Sequence, residues 1–277
     1  MITQIDHVIL LVNDLDTATT NARSAGFTVH PGGVHDDQVT HNALIPFADG
    51  SYIEIISFVD ATPPPNHYFG KRYLQGSGLA DVGLLSTDID LDVQAITDAG
   101  LPFPIPTHFG RYRPDGQLVT WRMSLPGHLH PSSGFPFLIQ DITDRALRVP
   151  SSAADTTHAN GAIGIAGVTF VVDNTVTADA NLRSILGVPP QSGTEHFRGR
   201  GLSVIPIGSD SRQWLALMQP VADSTPQRYM ETFGPGPYAV NLQTIAGTQL
   251  FPGGGDLMTP ELLEGARLYL QAQEANP

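Results

Sequence analysis

The sequence contains no cysteine, which excludes disulfides, thiolate zinc sites and a cysteine nucleophile and leaves nitrogen and oxygen donors for any metal. Charge is sparse, at 15% of residues, and unequal: 27 acidic against 14 basic residues give a net charge of −13. Such a chain repels a phosphate backbone, so nucleic acid is not an expected partner. No apolar run approaches the roughly 20 residues needed to cross a bilayer. The chain does not open on a basic segment with an apolar run and a small-residue cleavage site. Neither membrane insertion nor export is therefore expected, and the cytoplasm is the expected location. What remains is 277 residues of globular composition, 41% hydrophobic. That length buries roughly three quarters of the unfolded surface, in one large core or two ordinary ones, and two domains is the default expectation.

Against this background one residue in the first strand, Ile5 to Val12, is out of place: His7 interrupts an apolar run that has no packing reason to carry an imidazole. Either it is a buried histidine satisfied by a neighbour or it is a ligand. Asp14 then caps a helix stopped at Gly26, and Phe27 to His30 reads as a short strand before a turn at Pro31-Gly32-Gly33. Two further strands, His41 to Phe47 and Ser51 to Ser57, complete the order β-α-β-β-β. In the last of them Glu54 stands among apolar neighbours, where a carboxylate is costly unless paired or metal-bound. If Phe47 and Gly50 close a two-residue loop, Ala43 faces Glu54, and His41, opposite Ile56, shares the Glu54 face as a diagonal neighbour. A linker from Ala61 to Gly78 follows, with three consecutive prolines and the aromatics Tyr68, Phe69 and Tyr73.

The pattern then repeats. HVILLVND (His7 to Asp14) matches DVGLLSTD (Asp81 to Asp88), and each is followed by a helical stretch ending at a glycine 12 positions beyond its aspartate, Gly26 and Gly100. Asp81 thereby takes the place of His7, and aligning YIEII with FLIQDI puts Gln140 at the place of Glu54. The second hairpin, closed at Asp115-Gly116 between Pro114 and Gln117, is expected to gather Arg111, Arg113, Thr120 and Arg122 on one face, with Tyr112, Trp121 and Met123 on the other. Three basic residues on one face form either a wet sheet surface or a clamp for an anion. The loop Pro126 to Ser133 adds His128 and His130, and Val149 to Asn160 is polar enough to be an interdomain linker. GVTFVVDN (Gly167 to Asn174) and QWLALMQ (Gln213 to Gln219) repeat the motif a third time with Gly167 and Ala216 at the ligand positions, and a partial fourth copy falls in Tyr238 to Thr244 and Gly265 to Gln271.

DHVILLVNDLDTA, Gly26-Phe27, GGVHDDQVTHNALIPF, DGSYIEII, RYRPDG with TWRM, and FPFLIQ, in that order, resemble the glyoxalase-like domain group of the vicinal oxygen chelate superfamily. The resemblance covers about residues 4–142 well and the rest loosely. It implies an α+β fold of tandem βαβββ modules paired into cup-shaped mixed sheets. Residues 1–148 would form a metal-binding pair of modules, 149–160 a linker, and 161–277 a second, degenerate pair without ligands. It further implies a divalent metal (Zn, Mn, Fe, Ni or Mg) on His7, Glu54, Asp81 and Gln140, with Glu54 and Gln140 as catalytic groups. His41, Arg111, Arg113, Trp121 and His130 are candidate substrate contacts. The activity implied is a metal-dependent isomerase or lyase of the glyoxalase type, acting on a small oxygen-rich molecule, anionic if the arginine face is a clamp. The competing readings are a metal-free binding or resistance protein and an extradiol-type dioxygenase, in which His41 or His130 would supply a second histidine. A monomer or a homodimer is expected.

Overall fold

The computed structural model describes residues 1–126, 135–189, 201–208, 213–244 and 256–270. The first half runs β1 (Ile2–Leu11), α1 (Leu15–Ser24), β2 (His30–His35), β3 (Thr40–Pro46), β4 (Tyr52–Phe58), α2 (Gly70–Leu74), β5 (Gly78–Ser86), α3 (Ile89–Asp98), β6 (Thr107–Tyr112), β7 (Leu118–Ser124) and β8 (Phe137–Asp141). Two short helices, α4 (Arg145–Arg148) and α5 (Ala153–Thr156), lead to the second half. That half contains β9 (Ala162–Val171), α6 (Thr175–Leu186), β10 (Leu202–Ile207), β11 (Gln213–Met218), α7 (Thr225–Phe233), β12 (Gly236–Thr244), β13 (Asp256–Leu257) and β14 (Arg267–Leu270).

The repeat is visible at its caps. Asp14, Asp88 and Asn174 each accept a backbone N–H three residues ahead and start α1, α3 and α6 at equivalent points. Each of the first two copies lays its last strand parallel to its first, β4 on β1 and β8 on β5, and β1 pairs antiparallel with β5. The eight strands close into one barrel, β1-β4-β3-β2-β6-β7-β8-β5, sealed at the second junction where β2 meets β6. β1 alternates accordingly. Ile5, Val8, Leu10 and Val12 face outward into a core shared with Val168, Phe170, Val240 and Leu242 of the six-stranded second sheet, while Ile9 and Leu11 face an inner cluster with Ile56, Trp121, Phe137 and Ile139. The 149–160 segment carries α5 and the buried His158, whose ring packs against Phe27 and Phe47. The third copy keeps the register of the first, with Trp214 opposite Gly167 and Ala216 opposite Thr169. Its Gly167 is filled by the indole: an added Cβ would lie 2.2 Å from Trp214. Among the described residues no helix is long and apolar enough to cross a membrane.

Three local expectations are corrected. The β3–β4 hairpin does not have a two-residue loop: Phe47 donates to and accepts from the Ser51 and Gly50 ends of a three-residue turn, with Gly50 at φ +85. The register shifts by one, so Leu44 faces Glu54 and His41 faces Ser57. The β6–β7 hairpin slips identically, with Gly116 at φ +83 and Arg111 opposite Val119. Pro31-Gly32-Gly33 is not a turn but part of β2. The two glycines serve close approach: a Cβ on Gly32 would sit 1.9 Å from Asn42 Oδ1 and one on Gly33 1.8 Å from the Tyr112 carbonyl.

Candidate active site

The barrel encloses a cavity of about 100 Å³ lined by side chains from both modules. His7 and Glu54 meet there as diagonal neighbours of the parallel β1–β4 ladder, in which His7 lies opposite Tyr52 and Ile9 opposite Glu54. The His7 ring stacks on Tyr52 with centroids 4.6 Å apart, touches the edge of Phe137, and places Nε2 3.4 Å from Glu54 Oε2. Its orientation comes from its own neighbour. The β1–β5 ladder slips between Ile5 and His7, and there Asp6 Oδ2 stands 2.6 Å from His7 Nδ1. Burial alone would raise the Asp6 carboxyl, but Arg148, His7 and Arg145 outweigh it and hold it well below the usual carboxylate range. Asp6 is therefore ionised and accepts the Nδ1 proton, which turns the His7 Nε2 towards Glu54.

His35 approaches from the other side. Its Nδ1 is 2.7 Å from Thr40 Oγ1 and its Nε2 3.6 Å from Glu54 Oε1. Burial pushes the His35 imidazole below its ordinary value against the pull of Glu54. Burial would also raise Glu54, yet His7, His35, the 2.6 Å hydrogen bond from Asn42 and Arg111 together hold it below its ordinary value. The result is a buried carboxylate, ionised at neutral pH, with an imidazole nitrogen facing each oxygen. Two donors bound to one ion at about 2.1 Å stand roughly 3.0–3.4 Å apart. The 3.4 Å spacing from His7 to Glu54 Oε2 falls at the end of that range, and the 3.6 Å spacing from His35 to Oε1 lies just beyond it. The donors fit a divalent transition ion in kind. Among the described residues no group of three or more His, Asp or Glu side chains is placed so that it could hold a metal ion.

The other expected ligands lie elsewhere. Asp81, opposite Ile9, accepts from the Tyr68 hydroxyl and, at 2.8 Å, from the Val82 N–H. Burial pushes its carboxyl up to about 8, so it is a neutral acid at pH 7. Gln140 faces away from the cavity and caps α3, its Oε1 3.3 Å from Ile89 N and its Nε2 2.9 Å from the Thr87 carbonyl. The ladder gives the reason. Gly83, equivalent to Ile9 by the matched helix caps, lies opposite Phe137. Phe137, not Gln140, therefore occupies the Glu54 position of the second module.

The arginine face does not form. Arg111 and Trp121 line the cavity, whereas Arg122 pairs with Asp90 beside α3 and Arg113 bonds Asp115 and the Leu147 carbonyl outside. His41, between Val34 and Ser57, is on the outer face. His128 and His130 lie outside the described residues. Residues that the pattern did not mark complete the site, His35 and Asn42 in the wall and the Asp6–Arg148 pair beneath it, while the 61–78 linker, whose aromatics were candidates to wall a pocket, supplies His67, Tyr68 and Phe69. The signal for His35 was the alternation Gly33, His35 in a strand that looked like a turn.

Gly83 lies opposite His7, and a Cβ there would meet Phe137 Cζ at 2.8 Å and His7 Cε1 at 2.9 Å. Gly83→Ala is expected to cost about 1–3 kcal/mol through overpacking and to turn the His7 ring off Glu54. A urea unfolding curve together with the His7 ring resonances checks both.

A closed pair of βαβββ modules with an imidazole on the first strand and a carboxylate on the last defines a protein of the vicinal oxygen chelate superfamily. The family described as "Glyoxalase-like domain" matches residues 5–186, and the chain belongs to that family. No curated protein matches the sequence. Among solved structures, a hypothetical protein from Staphylococcus aureus is similar over 96% of this chain and 99% of its own, at 14% identity and a TM-score of 0.68. A mutant of 4-hydroxymandelate synthase from Streptomyces coelicolor is similar over 88% of this chain and 71% of its own, at 13% identity and a TM-score of 0.60. At these identities the likeness is one of fold.

Proposed function

We propose that this protein is a metal-dependent enzyme that binds a small oxygen-rich molecule in the barrel cavity, with His7, His35 and Glu54 as the metal-holding residues. The observation that carries this reading is the approach of two imidazole Nε2 atoms, at 3.4 and 3.6 Å, to the two oxygens of one buried, ionised carboxylate. A divalent ion held by these residues would supply Lewis-acid polarisation of a bound substrate oxygen, worth several kcal/mol to the charge that develops on it. Asp6 keeps the His7 proton on Nδ1, so that Nε2 is free to bind. Phe109, Trp121 and Phe137 wall the cavity and exclude water. His67, whose Nδ1 accepts the Phe69 N–H at 3.2 Å, holds its own proton at Nε2 and is positioned as the acid–base partner for a proton transfer of the isomerase or lyase type. Two imidazoles and one carboxylate are also the donor set of oxygen-activating iron sites, and His35 in the wall favours that second reading.

The test is equilibrium dialysis of the purified chain against Zn, Mn, Fe(II) and Ni, with the bound ion counted after removal of excess. One ion per chain is expected. No bound ion would leave the metal-free binding protein, in which Glu54 is satisfied by Asn42 and its two histidines.

A further inference from the structure

Where the start of β5 meets α7, β12 and β14, the two halves of the chain enclose a cavity of about 330 Å³ outside the barrel. Its apolar wall is an aromatic trio, in which the Tyr229 ring lies 4.7 Å from Phe233 and 5.1 Å from Tyr238, centroid to centroid. Three guanidiniums surround this trio. Arg72 stacks on Phe233 at 4.1 Å and Arg267 on Tyr238 at 5.1 Å, while Arg228 lines the cavity from α7. Arg72 donates to the Gly76 and Leu79 carbonyls, and Arg228 to the Asp223 carbonyl and the Thr225 hydroxyl. All four acceptors are neutral, and among the described residues no carboxylate pairs with any of the three arginines. In a chain of net charge −13, this is a positive patch that the fold itself leaves without a counter-charge.

The polar groups that face the cavity are open to a ligand. Arg228 is exposed, Arg267 half-buried and Tyr238 8% exposed, and all three line the cavity. Among the described residues nothing hydrogen-bonds the Arg267 guanidinium or the Tyr238 hydroxyl, and neither is among the sealed polar atoms of the interior, so both keep a surface that a ligand can touch. The charges also reach one point: Arg267 and Arg228 both draw the Tyr238 phenol down against the burial that raises it. Two cations and one neutral O–H donor thus converge where no acceptor is present.

We propose that this cavity is a second binding site, separate from the barrel, for a small aryl phosphate monoester. Its phosphate accepts from Arg228, Arg267 and the Tyr238 hydroxyl, and its ring lies against Tyr229 and Phe233. Charge sets the class, since two guanidiniums with no acid beside them match a dianion better than a monocarboxylate. Size sets the body. An apolar cavity of about 150 Å³ holds benzene, so a cavity of about 330 Å³ has room for one ring and one phosphate group.

The test is calorimetric titration of the full chain with phenyl phosphate, inorganic phosphate and phenol, in chelator so that no metal-bound phosphate enters the measurement. One phenyl phosphate per chain is expected, bound about tenfold more tightly than either fragment. Arg228→Gln and Arg267→Gln are each expected to weaken it by about tenfold, the loss of one charge-assisted hydrogen bond. Glu54→Gln, which alters only the barrel, is expected to bind it as the wild type does. Arg228 is exposed, so Arg228→Gln decides alone should Arg267→Gln not fold. Phenyl phosphate bound no more tightly than phenol or inorganic phosphate, or bound equally well by Arg228→Gln, would overturn the proposal. Binding lost in Glu54→Gln would place the ligand in the barrel and overturn it too.

Discussion

Arg148→Met is expected to destabilise the protein by about 3–5 kcal/mol, because removing the buried partner leaves the Asp6 and Asp141 carboxylates with the part-exposed Arg145 as their remaining guanidinium. Arg148 is 2% exposed, and its guanidinium donates to both oxygens of Asp6 at 2.9 and 3.0 Å, to Asp141 and to the Tyr52 hydroxyl. It therefore ties β1, β4 and β8 at one end of the barrel. Asp6 is 0% exposed, so its charge has no recourse to water once Arg148 is gone. Arg145, which also reaches Asp6 but has a side chain 27% exposed, is expected to cost less when replaced by methionine. A loss below about 1 kcal/mol in urea unfolding of Arg148→Met would show that the network does not hold the barrel closed. The same pair sets a pH dependence. The folded Asp6 carboxyl lies below its unfolded value, so its contribution is complete above about pH 4 and is lost as pH falls through the folded value. The Arg148→Met variant should lack that acid limb of the stability curve.

Glu54→Gln is expected to lower divalent-ion affinity by at least on the order of 100-fold with little change in shape, since the amide removes the charge that both histidines face. His35→Ala should fall comparably. Asp6→Asn, which alters what orients His7 and also weakens the Arg148 pair, should cost on the order of 10–100-fold in affinity. Gln140→Ala distinguishes the present ligand set from the one that the sequence resemblance implies. It should bind metal as the wild type does and lose about 1 kcal/mol from the α3 terminus. Titration with cobalt(II), followed by its visible absorption, gives all four affinities in one format. If Glu54→Gln binds as tightly as the wild type, the ion is held elsewhere.

Much of the architecture was legible because the duplicated unit announces itself at its helix ends. Asp14 and Asp88, each 12 positions before a glycine, are N-caps in the structure, and Asn174 repeats the role. Polar residues in apolar strands were equally legible, and His7 and Glu54 stand 3.4 Å apart. What failed was register, for one physical cause. Gly50 and Gly116 take left-handed conformations that lengthen each hairpin turn by one residue, and a slip of one exchanges the faces. That exchange moved His41 out and Asn42 in, and it separated Arg111 from Arg122. His35 was lost because consecutive glycines read as a turn when they are a strand thinned for the passage of Asn42 and the Tyr112 carbonyl. The Asp6–Arg148 pair spans 142 positions and leaves no local mark in the sequence.

Crystals grown with manganese and measured at an energy where manganese scatters anomalously test the central claim most directly. One anomalous peak per chain is expected inside the barrel, within bonding distance of His7 Nε2, His35 Nε2 and a Glu54 oxygen. A peak at Asp81 and Gln140, or a barrel without one in protein saturated with manganese, would contradict it.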